Sequence, residues 1–227
     1  MKLAAVFSGG KDSTFSIYKS LKEGHEIKYL ITISPDRDDS YMFHVPDIEW
    51  TKLQSEALEI PQVFKRVSGE KEKEVEELKD IFYSIKGDID GIVSGAIASS
   101  YQKSRIDRIC SELGLKSFAP IWGVDQGQYV KELVRDGFEA IFTGVAADGL
   151  DDEWLGRELN TDSIDKLIEL NSKYGINIAG EGGEYESFVV DCPIFKKRIA
   201  ITESKKIWDK KAKSGYLLIE NAKLEYK

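Results

Sequence analysis

The chain has 227 residues, 41% hydrophobic and 32% charged, with a formal net charge of −8, a profile that fits a globular protein with a sizeable core. An acidic balance argues against a general binder of nucleic-acid backbones, which needs an excess of Lys and Arg. Cys110 and Cys192 have neither CxxC spacing nor metal-ligand company, so each reads as a buried thiol.

Residues 3–7 predict a first strand, and Thr14, Ile17, Tyr18 and Leu21 then share one face of a helix ending near Gly24. A second strand is expected over 27–33, then a loop to residue 44 and a helix over about 47–58. A short strand (63–67), a charged helix (70–86), a fourth strand (91–94), a helix (99–113) and a fifth strand (118–121) follow. Strands alternating with amphipathic helices predict a doubly wound, five-stranded parallel α/β sheet. Beyond Trp122 the pattern changes. A helix at 128–135, a strand at 140–145 and a helix carrying Ile164, Leu167 and Ile168 precede short β-like runs at 187–190, 197–201 and 216–224. This predicts a smaller mixed α+β domain, 124–227, after a first domain, 1–123. No apolar run approaches the roughly 20 residues of a membrane span, and no signal peptide precedes the first strand. The expectation is a cytoplasmic protein, and abundant Lys and Glu with scarce Met and Cys hint at a heat-adapted host.

Ser8-Gly9-Gly10-Lys11-Asp12-Ser13 falls where the first strand hands over to the first helix. Two glycines let backbone N–H groups approach a phosphate, and the helix N-terminus adds its positive dipole end. Lys11 brings a full charge and is expected to be an exposed loop residue with little bearing on stability. Ser8 and Ser13 offer hydroxyl donors. Asp12 makes sense beside a polyanion chiefly with Mg²⁺ between them. The spacing is not that of a Walker loop. A plainer reading is a helix start capped by Asp12 or Ser13.

Other segments carry polar groups where chemistry is expected. Gln102 sits in the first turn of a helix that follows a strand's carboxyl end, with Tyr101 and Arg105 one turn apart. An internal Gln–backbone bond and a surface Arg are the alternative. In Gly180-Glu181-Gly182-Gly183-Glu184-Tyr185-Glu186-Ser187, closely spaced carboxylates repel one another unless a cation is present; otherwise the string is a solvated acidic turn. His44, in Ser40-Tyr41-Met42-Phe43-His44, is either catalytic or structural.

The hexapeptide at 8–13 resembles the pyrophosphate-binding motif of the N-type ATP pyrophosphatases. That implies an adenine nucleotide α-hydrolase-like (HUP) fold, with the β and γ phosphates in the loop. It also implies adenine near Ile33, with Gly95 closing the other side. SYMFH at 40–44, GAI and SSYQKSRI within 95–106, LGLKSFAPIW at 113–122, VAADGLDDEWLG at 145–156 and GEGGEYESFVVDCPIF at 180–195 narrow the likeness. Together they resemble the diphthine–ammonia ligases, or diphthamide synthetases, in their short form. That resemblance implies adenylation of the diphthine carboxylate on translation elongation factor 2 by ATP, followed by amide formation with ammonium. AMP and pyrophosphate would be released. No glutaminase segment is found, so free ammonium is the implied nitrogen source. Glu181, Glu184, Glu186 and Tyr185 suggest a cage for diphthine's trimethylammonium group, with Mg²⁺ binding or ammonium polarisation as other roles for a glutamate. A homo-oligomer is compatible with the sequence; direct nucleic-acid binding and membrane association are not expected. The rivals are a pyrophosphatase that modifies a tRNA base, and a nucleotide-binding signalling domain without catalysis.

Overall fold

The computed structural model describes residues 1–35, 47–67 and 73–227. Apolar runs build its first layer. β1 (Lys2–Val6), β2 (Glu26–Pro35), β3 (Gln62–Val67), β4 (Gly91–Val93) and β5 (Lys116–Phe118) pair in parallel in the order β3-β2-β1-β4-β5. Leu3, Ala4, Leu30, Ile31 and Ile92 are completely buried, as a sheet covered on both faces requires. α1 (Lys11–Lys22) and α2 (Thr51–Leu58) pack on one side, α3 (Lys73–Ile85) and α4 (Ser100–Leu113) on the other. This is the doubly wound α/β fold that the periodicity predicts. The chain builds outward from β1 through β2 and β3, then crosses to β4 on the far side of β1. The carboxyl ends of β1 and β4 therefore border the switch point, where sheets of this kind bind ligands.

The second half comprises α5 (Gln126–Arg135), β6 (Glu139–Val145), α6 (Thr161–Tyr174), β7 (Tyr185–Asp191), β8 (Lys197–Asp209) and β9 (Ser214–Tyr226). Its strands form an antiparallel sheet in the order β7-β6-β9-β8. Local signals fix its helices. Asp125 caps α5 by accepting from Gln128 N, Asn160 and Ser163 make a reciprocal capping box on α6, and Gly175 ends α6 in the left-handed region. The two halves share one core. Phe15 on α1 meets Tyr129 and Phe138 with ring centres 5.5 and 5.2 Å apart, and a single apolar cluster runs from Leu3 to Ile219.

Some boundaries differ from expectation. The fifth strand lies at Lys116–Phe118 and not at 118–121, because Pro120 has no N–H for a ladder. The chain turns there, with Trp122 N–H donating to Ala119 O at 3.0 Å. The helix expected from 47 opens with a 3₁₀ turn, Ile48–Trp50, before α2. β8 and β9 each extend to 13 residues. Glu203, Ser204, Lys205 and Lys206 are all exposed, so no alternation marks that part of β8. Cys110 and Cys192 are free and buried, and burial pushes both thiols up to about 12. Among the described residues no helix is long and apolar enough to cross a membrane.

Candidate active site

β1 delivers Ser8 to the switch point, and Gly9, at φ +78°, turns the chain into α1. Gly10 is the helix cap and has no side chain of its own to offer the helix start. Ser187 Oγ accepts from Lys11 N–H, so this start differs from the turn capped by Asp12 or Ser13 of the plainer reading. Ser13 Oγ donates to Gly10 O at 3.1 Å and lies 3.2 Å from Ser8 Oγ, which gathers both hydroxyls at the loop mouth.

Lys11 differs from expectation. It is not an exposed loop residue but the first residue of α1, and only 2% of its surface is exposed. Its Nζ lies 3.0 Å from Asp12 Oδ2 and 4.9 Å over the Tyr185 ring. Burial opposes the charge, but Asp12, Tyr185 and Glu186 outweigh it and hold the Lys11 pKa above its ordinary value. Asp12 Oδ1 in turn accepts from Tyr129 OH at 2.7 Å.

The acidic string divides its labour. One Glu181 oxygen accepts from Ala98 N at 3.0 Å and Ser99 N at 2.9 Å, tying the string to the start of α4. Glu184 accepts from Asn177 N at 2.9 Å with one oxygen and from Gly182 N at 2.8 Å with the other. Tyr185 is buried, donates its hydroxyl to Ile178 O at 2.8 Å, and has a ring face covered by Lys11. These contacts differ from the expected cage: Glu184 folds back on its own turn, and Lys11 occupies one face of the Tyr185 ring. Glu186 is different. Its side chain makes no hydrogen bond or ion pair among the described residues, and burial, with Asp12 and Glu181 nearby, pushes its carboxyl up to about 7 against the pull of Lys11.

A cleft of about 400 Å³ collects these groups. Ser8, Lys11, Asp12 and Ser13 line it together with Ile33, Gly95, Gln102, Glu181, Tyr185 and Glu186. Gly95 is pressed against the loop: a Cβ there would lie 2.7 Å from Ser13 N and 2.8 Å from the Asp12 carbonyl carbon. Gly9, Gly10, Tyr101, Arg105 and Glu184 lie outside the lining. The Arg105 guanidinium instead stacks 3.3 Å from the Tyr101 ring centre. His44 falls outside the described residues. Among the described residues no cluster of three His, Cys, Asp or Glu side chains is arranged to hold a metal ion.

Residues 1–117 match the family model of the diphthamide synthase N-terminal domain, and residues 125–224 that of its C-terminal domain. The chain belongs to the diphthamide synthase family. Similar proteins include the diphthine–ammonia ligase of Rattus norvegicus, 35% identical over 100% of this chain and 94% of the relative. The Homo sapiens diphthine–ammonia ligase is 36% identical over 90% and 84%. That of Schizosaccharomyces pombe is 34% identical over 97% of this chain but only 39% of its own length. A solved structure titled as a predicted subunit of a tRNA methyltransferase from Methanocaldococcus jannaschii aligns with a TM-score of 0.46. It is 16% identical and covers 85% of this chain and 98% of that one.

Within this diphthamide synthase fold, some contacts of the loop escape the motif. Tyr129 holds Asp12, Ser187 Oγ accepts from Lys11 N at 3.2 Å, and Gln54 reaches Gly9 O. Each comes from an element distant in the chain, and no local pattern marks Tyr129 or Gln54. Ser187 alone had a signal, since it directly follows the acidic string.

Proposed function

We propose that this chain joins ammonia to the carboxylate of diphthine on translation elongation factor 2, with cleavage of ATP to AMP and pyrophosphate. The observation that carries the proposal is the two-ended cleft. One end has Lys11, two hydroxyls and the start of α1; the wall beyond is apolar, with Ile31 and Ile33. Such a cleft suits a polyphosphate joined to a flat base. The family relationship supports the same substrate and nitrogen source.

In this proposal the ATP phosphates lie at Ser8, Lys11 and Ser13, and adenine lies between Ile33 and Gly95. A diphthine carboxylate oxygen attacks the α phosphorus, the α–β bridging bond breaks, and pyrophosphate leaves against the Lys11 charge. Ammonia then attacks the acyl carbon of the adenylate, the bond to AMP breaks, and the amide forms. The nitrogen must lose a proton. Glu186, whose carboxyl has a pKa of about 7 and no hydrogen-bond partner among the described residues, is the residue to accept it. Asp12 is compatible with Mg²⁺, whose bound charge would further neutralise the phosphates. ATP handling falls to 1–123 and recognition of the factor chiefly to 124–227. Gln102 belongs to the substrate side of the cleft.

The test mixes the protein with ATP, Mg²⁺, ammonium and elongation factor 2 bearing diphthine. AMP and pyrophosphate should form in equal amounts, and only when both factor and ammonium are present. ADP with orthophosphate, or turnover indifferent to the factor, would refute the proposal.

A further inference from the structure

Gln54 lies on α2, outside every motif, and is completely buried. Its Nε2 donates to Gly9 O and to Val189 O, both at 2.8 Å. Val189 N–H donates to the same Gly9 O at 3.0 Å. Two carbonyl acceptors fix which end of the amide faces them, because the oxygen end has nothing to donate. Oε1 is left buried without a partner among the described residues, against Gly9, where any Cβ would collide with it. A residue serving only to fill the core would avoid that orphan acceptor.

We propose that Gln54 is a positioning residue for phosphate binding, holding the Gly9–Gly10 peptide with its N–H turned toward the polyphosphate. The assignment rests on reading the cleft as an ATP site. A trans peptide points its C=O and N–H in opposite directions. Fastening Gly9 O to α2 and β7 therefore turns Gly10 N–H the other way, to the cleft side, where it donates to Ser8 Oγ, a lining hydroxyl, at 3.4 Å. Gly9, at φ +78°, leaves this peptide otherwise free to flip. A flipped peptide would aim a carbonyl oxygen at the bound phosphates. Gln54 and Val189 hold it against that flip, and in doing so they lock the loop to β7, the strand that carries Glu186.

Calorimetric titrations of wild type, Gln54→Leu and Gln54→Met with inorganic pyrophosphate, ATP and adenosine test this. Both variants fill the volume without donating. Pyrophosphate and ATP affinity should fall by about tenfold or more, adenosine affinity should stay within about twofold, and the KM for ATP should rise while that for ammonium holds. Wild-type pyrophosphate affinity in a folded variant overturns the assignment. So does an equal loss for adenosine, or failure of both variants to fold, since either would make Gln54 merely structural. If wild type binds neither ATP nor pyrophosphate, the ATP reading itself fails and takes this assignment with it.

Discussion

Glu184 spends both carboxylate oxygens on backbone, one on Asn177 N and the other on Gly182 N. Replacing it by Gln turns one acceptor into an NH₂ that faces an N–H. Glu184→Gln should therefore lower stability by about 1–3 kcal/mol in urea titration while ATP affinity holds. Unchanged stability with weakened binding of the factor would restore a substrate role for this residue. Glu186 behaves oppositely. Its folded-state pKa of about 7 exceeds the ordinary 4.5, so the folded protein binds this proton more tightly than the unfolded chain. The stability it brings is full below pH 4.5 and is lost as the pH climbs from 4.5 to about 7, with a ceiling on the order of 3 kcal/mol. In metal-free protein Glu186→Gln should thus be more stable than wild type at pH 8 and equal to it near pH 4.5, yet form little amide. Parallel pH profiles for the two proteins would rule this out. The sequence made all three glutamates visible as one acidic string, but the roles of Glu181 and Glu184 depend on backbone N–H groups up to 83 residues away, and that of Glu186 on burial. Spacing alone could not sort them.

At the scale of elements, periodicity carried most of the parallel sheet, since buried strands read as unbroken apolar runs. It failed where burial is slight, as in β8, and where a proline stops pairing, as at Pro120. The close approach of two elements was less legible. Gly95, between β4 and α4, was marked only by resemblance, whereas the structure shows a steric reason for glycine: the first turn of α1 fills the space a side chain would need. Backbone atoms cannot swing aside like a flexible side chain, so Gly95→Ala must push α1 away from the β4 end. We expect about 1–3 kcal/mol of destabilisation and weaker ATP binding, because the displaced turn bears Lys11, Asp12 and Ser13. Thermal unfolding with an ATP titration checks both effects. A variant with wild-type midpoint and affinity would mean the turn yields at no cost.

Across the whole molecule, the switch in hydrophobic pattern near residue 123 suggests two separable units, and the contacts argue that neither stands alone. Lys11 N–H reaches Ser187 Oγ across 176 residues of sequence, a pairing no local pattern announces. Phe15 and Tyr18 on α1 pack against Phe138, and Phe15 also against Tyr129. Each aromatic buries about 150–250 Å² in such a core, so removing 124–227 would uncover a contiguous apolar face on α1. It would also take away Val189, Ser187 and Tyr129, which hold Gly9, Lys11 and Asp12. The fragment 1–123 contains every residue of the phosphate motif. It should nevertheless keep helical far-ultraviolet signal while losing near-ultraviolet structure, bind a hydrophobic dye, and show no measurable affinity for pyrophosphate. Circular dichroism, dye binding and calorimetry on the fragment beside the full chain test this. Cooperative unfolding of 1–123 with full pyrophosphate affinity would show that the loop is shaped by its own sheet alone, and that β7 merely rests against it.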